Sequence, residues 1–277
     1  AWVATGESWP GTSGLELGDH DWEGTMPTED SPFFQFPDGN ASIARLLVRS
    51  LVPHVAPGNT MEDIVTAPFD YNALDVGDSA VRIRLDSTVV NVRHRGDQKR
   101  ADEVEVKYVR GGRAYSMRGK RCVLACYNAV IPHICDELPA AQKKALSYAV
   151  KAPLIYTNVL IRNWAAFARL GVHSARCPGS YFGSISLTEP MNIGDYRYSR
   201  TPDDPIVLRL YRAPLNPKMR GHSAPDQWRA ARADLLETTF ETFEMKIRDQ
   251  LGRMLSAGGF DPARDIEAIT VNRWPHG

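Results

Sequence analysis

Arg121-Cys-Val-Leu-Ala-Cys-Tyr-Asn-Ala-Val-Ile-Pro-His-Ile134 is the run that decides how this 277-residue chain is read. Val123 to Cys126 is almost unbroken in its apolarity and follows the basic turn Arg118-Gly119-Lys120, which is how a strand buried on both faces reads. Such a strand belongs inside an α/β sheet. Upstream, Val104-Glu-Val-Lys-Tyr-Val109 alternates apolar and polar residues, Gly111-Gly112 turns, and Ala114-Tyr-Ser-Met117 returns, so a one-sided hairpin feeds the buried strand. Downstream, Asn128 can cap a turn and Pro132 stops any long helix.

Composition bounds the rest. With 43% apolar residues the chain can bury about three quarters of its surface and fill one large or two modest domains. Lys plus Arg equals Asp plus Glu at 33 each, so no net field favours nucleic acid or an anionic membrane, and neither partner is expected. No apolar run approaches the roughly 18–20 residues that span a bilayer, and no basic-then-apolar leader opens the chain, so a soluble protein is expected. Cys122, Cys126 and Cys135 fall in or beside the apolar strand and Cys177 stands alone in Arg-Cys-Pro-Gly, which predicts buried reduced thiols rather than zinc or disulfides. The chain opens on Ala1 and stops at Gly277 directly after the turn Trp274-Pro-His-Gly, as a piece of something longer would.

Residues 1–40 read as loop with the aromatic anchors Trp2, Trp9 and Trp22. Within them Asp19-His-Asp21-Trp-Glu23-Gly24, with Asp30 at the twelfth place, echoes a calcium loop, but Pro27 interrupts it and no helix flanks it. A solvated acidic loop is the expectation, and no metal site is expected anywhere. Phe33, Phe34 and Phe36 form an aromatic cluster suited to anchoring a loop on a core. From Asn40 or Ser42, either a good cap, Ile43, Leu46, Leu47 and Leu51 repeat at helical spacing until Pro53. Strands are predicted at Val81–Leu85 and Thr88–Val92, then the charged loop His94–Glu103 and the hairpin.

Beyond the deciding run, Pro139 opens a helix reaching Val150, and Leu154–Ile161 reads as a strand before a short Trp164–Phe167 turn ended by Gly171. Residues 171–205 look loop-like, with Tyr181, Phe182, Tyr196 and Tyr198 among Gly and Ser. Ile206–Tyr211 is another strand. From near Pro225 to Gly258-Gly259, apolar residues step by three, four or five, which predicts one helix of roughly 30 residues, straight or kinked and about 45 Å long. Its charged face, Arg229, Arg232, Glu237, Glu241, Lys246, Arg248 and Asp249, reads as solvated. Asp265–Val271 is a strand delivering Asn272-Arg-Trp-Pro-His276.

Several segments together resemble a known family: Phe36-Pro-Asp-Gly-Asn-Ala-Ser-Ile-Ala-Arg-Leu-Leu-Val-Arg49, Cys122–Leu138, Pro153–Phe167, Gly259–Ile266 and Ile269-Thr-Val-Asn-Arg-Trp-Pro-His-Gly277. They look like a bacterial branch of the flavin-containing amine oxidoreductases, that of the spermidine dehydrogenases. The fold that this resemblance implies is α/β (α+β). Residues 1–135 would be a partial FAD-binding domain of the two-dinucleotide-binding-domain flavoprotein type, with its remnants at about 36–53 and 79–135. Residues 136–277 would be a mixed-sheet substrate domain with a long helix, ending at the return to the FAD domain. The family's Gly-x-Gly-x-x-Gly turn would fall before Ala1 and its second flavin-binding segment beyond Gly277.

Carried over residue by residue, the resemblance makes Val89 the strand residue whose backbone meets the adenine end of FAD. Ala125, Cys126 and Tyr127 become the strand end beside the cofactor, where small side chains let a flat ring and a pyrophosphate approach. Ordinary sheet core accounts for these four positions as well. Leu154–Ile161 would be the substrate-domain strand under the flavin. Many relatives have a lysine there, whereas this chain reads Tyr156-Thr-Asn158, a difference that leans toward a dehydrogenase rather than a true oxidase. Tyr156, Asn158 and Trp274 would touch the substrate, and His276 would take a proton. A buried anchor for Trp274 and a structural hydrogen bond for His276 are the plain alternatives.

The parent protein implied is a soluble enzyme of the bacterial cytoplasm or periplasm that moves hydride from the carbon next to an amine nitrogen, a polyamine's above all, to FAD. Its electron acceptor stays open. A carotenoid or phytoene desaturase-like flavoprotein is the alternative enzyme, and a flavin-free ligand-binding module the alternative outside enzymes. Taken alone, the piece would be inactive, would retain no flavin and would self-associate through an unpaired strand edge.

Overall fold

The computed structural model describes residues 36–148 and 150–276, so the acidic loop considered for calcium, Phe33 and Phe34 lie outside the described residues. Helix α1 (Asn40–Leu51) is followed by 3-10 turns at Pro53–Val55, Asp63–Val65 and Tyr71–Asp75. Strands β1 (Thr88–His94), β2 (Val104–Arg110) and β3 (Arg113–Gly119) come next, then the short α2 (Ile131–Ile134) and α3 (Ala140–Tyr148). The chain continues as β4 (Leu154–Ile161), α4 (Ala165–Leu170), β5 (Ser174–Arg176), β6 (Ser184–Leu187) and β7 (Ile206–Arg212). It closes with α5 (Ala224–Glu237), α6 (Phe240–Leu255), α7 (Pro262–Asp265) and β8 (Ile266–Trp274). This is a mixed helix-and-sheet protein with two antiparallel sheets, ordered β1-β2-β3 and β5-β6-β7-β4-β8. Two compact units divide it: residues 36–44, 59–66 and 151–276 in one, residues 45–58 and 67–150 in the other.

The five-stranded sheet owes its order to alternation in β4. Ile155, Thr157, Val159 and Ile161 are buried, and Tyr156 and Asn158 between them are exposed, so one face is sealed and the other open. Phe243, Ile247, Leu251 and Leu255 of α6, spaced four apart, share one apolar cluster with Ile155, Val159 and Ile161 of β4 and with Leu208 and Leu210 of β7. Gly171, at a left-handed φ of 67°, ends α4.

The single long helix expected from Pro225 onward is two. Thr238 leaves α5 in an extended conformation, and its hydroxyl donates to the Asp234 carbonyl at 2.7 Å. Thr239 then caps α6 by accepting from the Thr242 N–H. Two adjacent β-branched residues with hydroxyls that bond the backbone favour a cap over a continued turn. The loop expected over 171–205 also contains β5 and β6. They are 3 and 4 residues long and serine-rich, so the pairing of β5 with β6 and of β6 with β7 leaves almost no trace in composition.

In the other unit the predicted hairpin forms. Gly111 and Gly112 carry φ of 54° and 73° at its tip, the double positive φ that a two-residue turn between twisted strands demands. Strand β1 pairs along the far side of β2, with an irregularity between Val89 and Asn91.

Two predicted strands are absent. Residues 81–85 are irregular and pair in no sheet, because Arg82 and Arg84 are drawn onto Asp75 and the Ile83 N–H bonds the Leu74 carbonyl at 2.7 Å. The deciding run 121–127 is also irregular: Cys122 and Cys126 are exposed and Val123 is 87% exposed. No strand among the described residues pairs with it. The cysteines are thus free thiols, as expected, but none is buried. Helix α1 forms as predicted, yet Ile43, Leu47 and Leu51 are exposed.

Candidate functional site

The register of β4 collects the candidate substrate residues. Tyr156 lies opposite Tyr211 of β7 and Asn272 of β8, Asn158 lies opposite Arg209 and Thr270, and Leu154 lies opposite Trp274. Directly paired residues of an antiparallel ladder point to the same side, so Tyr156, Asn158, Tyr211, Asn272 and Trp274 occupy the open face, the one not covered by α6. Tyr156 is 44% exposed and Trp274 55%. The rings of Tyr156 and Tyr211 meet edge to face at 5.2 Å, a geometry that fixes both. An array of two phenols, an indole and two carboxamides can hold an elongated cation. The rings lie along its alkyl stem and attract its charge, and the amide oxygens accept its N–H groups. Tyr211 and Asn272 escaped the sequence reading because only the register brings them beside Tyr156.

Electrostatics distinguish two groups here. Burial, and then the neighbouring Tyr156, push the Tyr211 phenol up from 10.0 to about 12, so it remains a neutral hydroxyl at any physiological pH. His276, two residues beyond β8, is held by α5: Arg232 donates from Nη1 to its Nδ1 at 3.2 Å. Burial first, then the charges of Arg232 and Lys151, depress the His276 imidazole below its ordinary 6.5, keeping it neutral near pH 7.

The four residues carried over as cofactor contacts lie in the other unit. Val89 faces Tyr108 across the β1–β2 ladder. Ala125 and Cys126 are exposed, and Tyr127 leads into a 3-10 turn at Asn128–Val130. A dinucleotide needs a strand end whose following turn and helix present backbone N–H groups to its pyrophosphate. Irregular chain entering one 3-residue 3-10 turn does not provide that, so these residues as arranged do not fit FAD. Among the described residues no group of three His, Cys, Asp or Glu could hold a metal ion, and no helix is long and apolar enough to cross a membrane.

No protein-family model matches the sequence, and no curated protein does. Solved structures do show likeness. The wild-type putrescine oxidase bound to putrescine has 14% identity and a TM-score of 0.42, covering 70% of this chain and 35% of the oxidase. The A394C mutant of putrescine oxidase has 14% identity and a TM-score of 0.44 at the same coverage. The cyclohexylamine oxidase from Brevibacterium oxydans IH-35A has 16% identity and a TM-score of 0.35, covering 67% of this chain and 33% of that one. The chain spans about a third of the length of these oxidases.

Proposed function

We propose that this chain carries the amine-binding face of an FAD-dependent amine oxidoreductase acting on a polyamine, with Tyr156, Asn158 and Trp274 at the substrate and His276 as the group that takes a proton. The observation that carries the reading is the open sheet face, where an exposed tyrosine and an exposed tryptophan flank the carboxamides of Asn158 and Asn272 on two adjoining strands, β4 and β8. A polyamine is a chain of methylenes interrupted by nitrogens, and such a surface suits both of its parts. A neutral His276, oriented by Arg232, is in the protonation state that accepts a proton. The redox chemistry of such an enzyme is the flavin's, and this chain's share is binding and placement. Tyr156-Thr-Asn158 in the place of the family's lysine supports a dehydrogenase passing its electrons to an acceptor other than oxygen.

A second reading, a flavin-free amine-binding module, is favoured by the exposure of Val123, Ala125 and Cys126. The visible spectrum of the protein purified from its host at full length separates the two, since residues 1–277 alone are expected to retain no flavin. Flavin absorbance that spermidine bleaches without oxygen supports the enzyme. A colourless protein that still binds spermidine supports the module, and a colourless protein that ignores spermidine overturns both.

A further inference from the structure

The unit containing β1–β3 has a cleft of about 530 Å³ lined by Arg82, Arg84, Arg110 and Arg113 together with Asp75 and the rings of Tyr108 and Tyr115. Local sequence explains the convergence. Asp75 ends the 3-10 turn Tyr71–Asp75, Arg82 and Arg84 stand two residues apart and both bond Asp75, and Arg110 and Arg113 face each other across the Gly111-Gly112 turn.

Counting donors shows what the cleft lacks. Asp75 Oδ1 accepts from Arg82 Nε at 2.8 Å, Arg82 Nη2 at 2.7 Å and Arg84 Nη2 at 3.0 Å. Its Oδ2 accepts from Arg84 Nε at 2.8 Å and Arg110 Nη1 at 3.0 Å. A carboxylate offers about four lone-pair directions, so this one is saturated, while each guanidinium has about five N–H donors to place. Arg84 spends Nη1 on the Tyr108 hydroxyl at 2.7 Å. Arg113 has no acceptor among the described residues, and four guanidinium charges face one carboxylate, a surplus of three. The hydrogen bond from Arg84, followed by those from Arg82 and Arg110, holds the Asp75 carboxyl far below its ordinary range, so its single charge is constant over any working pH.

We propose that this cleft binds a small molecule through a diphosphate group. Guanidinium forks match phosphate oxygens two by two, and half-exposed arginines with spare donors are poised to receive them. A phosphate monoester brings at most about two negative charges, fewer than the surplus, and a second phosphate makes up the difference. Tyr115 stacks on Tyr108 with ring centroids 5.4 Å apart and planes 17° from parallel, giving the cleft an aromatic wall for a flat group attached to the diphosphate. None of Val89, Ala125, Cys126 and Tyr127 lines the cleft, nor do the residues of the open sheet face, so this site stands or falls independently of the amine reading.

The test is calorimetric titration of the full chain, in metal-free buffer at low salt, with inorganic pyrophosphate and separately with ADP. Saturable binding is expected for both. Equal affinities mean that the diphosphate alone is read, and tighter ADP means that the tyrosine wall contributes, either result supporting the site. Arg113→Gln, at an exposed position without a bonding partner, should weaken binding about tenfold or more, as losing charge-assisted hydrogen bonds does. Arg121→Gln, exposed and outside the cleft, should leave it unchanged, and Arg82→Gln should repeat the Arg113 result. Absence of saturable heat with both ligands overturns the proposal. Equal weakening by Arg113→Gln and Arg121→Gln overturns it too, because the attraction would then be general electrostatics.

Discussion

Gln250 brackets the backbone of Phe182: its Nε2 donates to the Phe182 carbonyl at 2.9 Å and its Oε1 accepts from the Phe182 N–H at 2.8 Å. The glutamine is buried on α6 and acts as one more strand partner for the stretch just before β6, 68 residues away in sequence. Replacing it with leucine fills the space but strands two buried backbone groups. Gln250→Leu should cost about 2–4 kcal/mol, measured as a lowered urea midpoint at unchanged m-value.

Thr157 makes the opposite case. Its hydroxyl is buried on the sealed face of β4 with no hydrogen-bond partner among the described residues. Thr157→Val keeps the shape and β-branching and removes a desolvated hydroxyl, so it should stabilise the protein by about 1 kcal/mol. A thermal melt showing destabilisation would mean that the hydroxyl has a partner.

His276 sets a pH dependence whose sign is fixed. Its folded pKa is depressed below 6.5 by burial, Arg232 and Lys151, so the unfolded chain takes up a proton that the folded chain resists. Stability attributable to this group is therefore full above pH 6.5 and falls as the pH drops through it, the loss ending below the folded pKa. His276→Gln should flatten the curve of urea midpoint against pH in that acid window and leave the neutral range untouched.

Tyr211 should ionise at about 12, against 10.0 for an ordinary phenol. Its burial and the edge-to-face neighbour Tyr156 both favour the neutral form, so Tyr156→Ala should bring the titration back toward 10.0. Carbon-13 shifts of labelled tyrosine rings followed through alkaline pH would resolve it from the other nine tyrosines.

What was legible in the sequence was the local and the periodic. β4 has the bounds Leu154 and Ile161 expected of it, the Gly111-Gly112 tip needs positive φ, and Gly171 stops α4. Illegible parts depend on partners. Val123–Cys126 carries the composition of a buried strand, but a strand is defined by its neighbours, and the described chain offers this run none. Val81–Leu85 alternates as a strand should, yet Asp75 outcompetes any ladder for Arg82 and Arg84. β6 is too short and serine-rich to announce itself, and the break at Thr238 is a contest between cap and helix turn that periodicity does not record. Of the site, Tyr156, Asn158 and Trp274 were visible as residues, but their common face, and the places of Tyr211 and Asn272 on it, follow only from the register.

The central claim, that the open face of the five-stranded sheet receives an alkyl amine, is tested most directly by titrating the isotope-labelled protein with spermidine and following its backbone amide resonances. Saturable shifts are expected only in β4, β7 and β8 around Tyr156, Asn158, Tyr211 and Trp274, abolished by the double substitution Tyr156→Ala and Trp274→Ala in a protein that remains folded. Shifts scattered over exposed carboxylates elsewhere on the chain, or unchanged binding in the double variant, would contradict the claim.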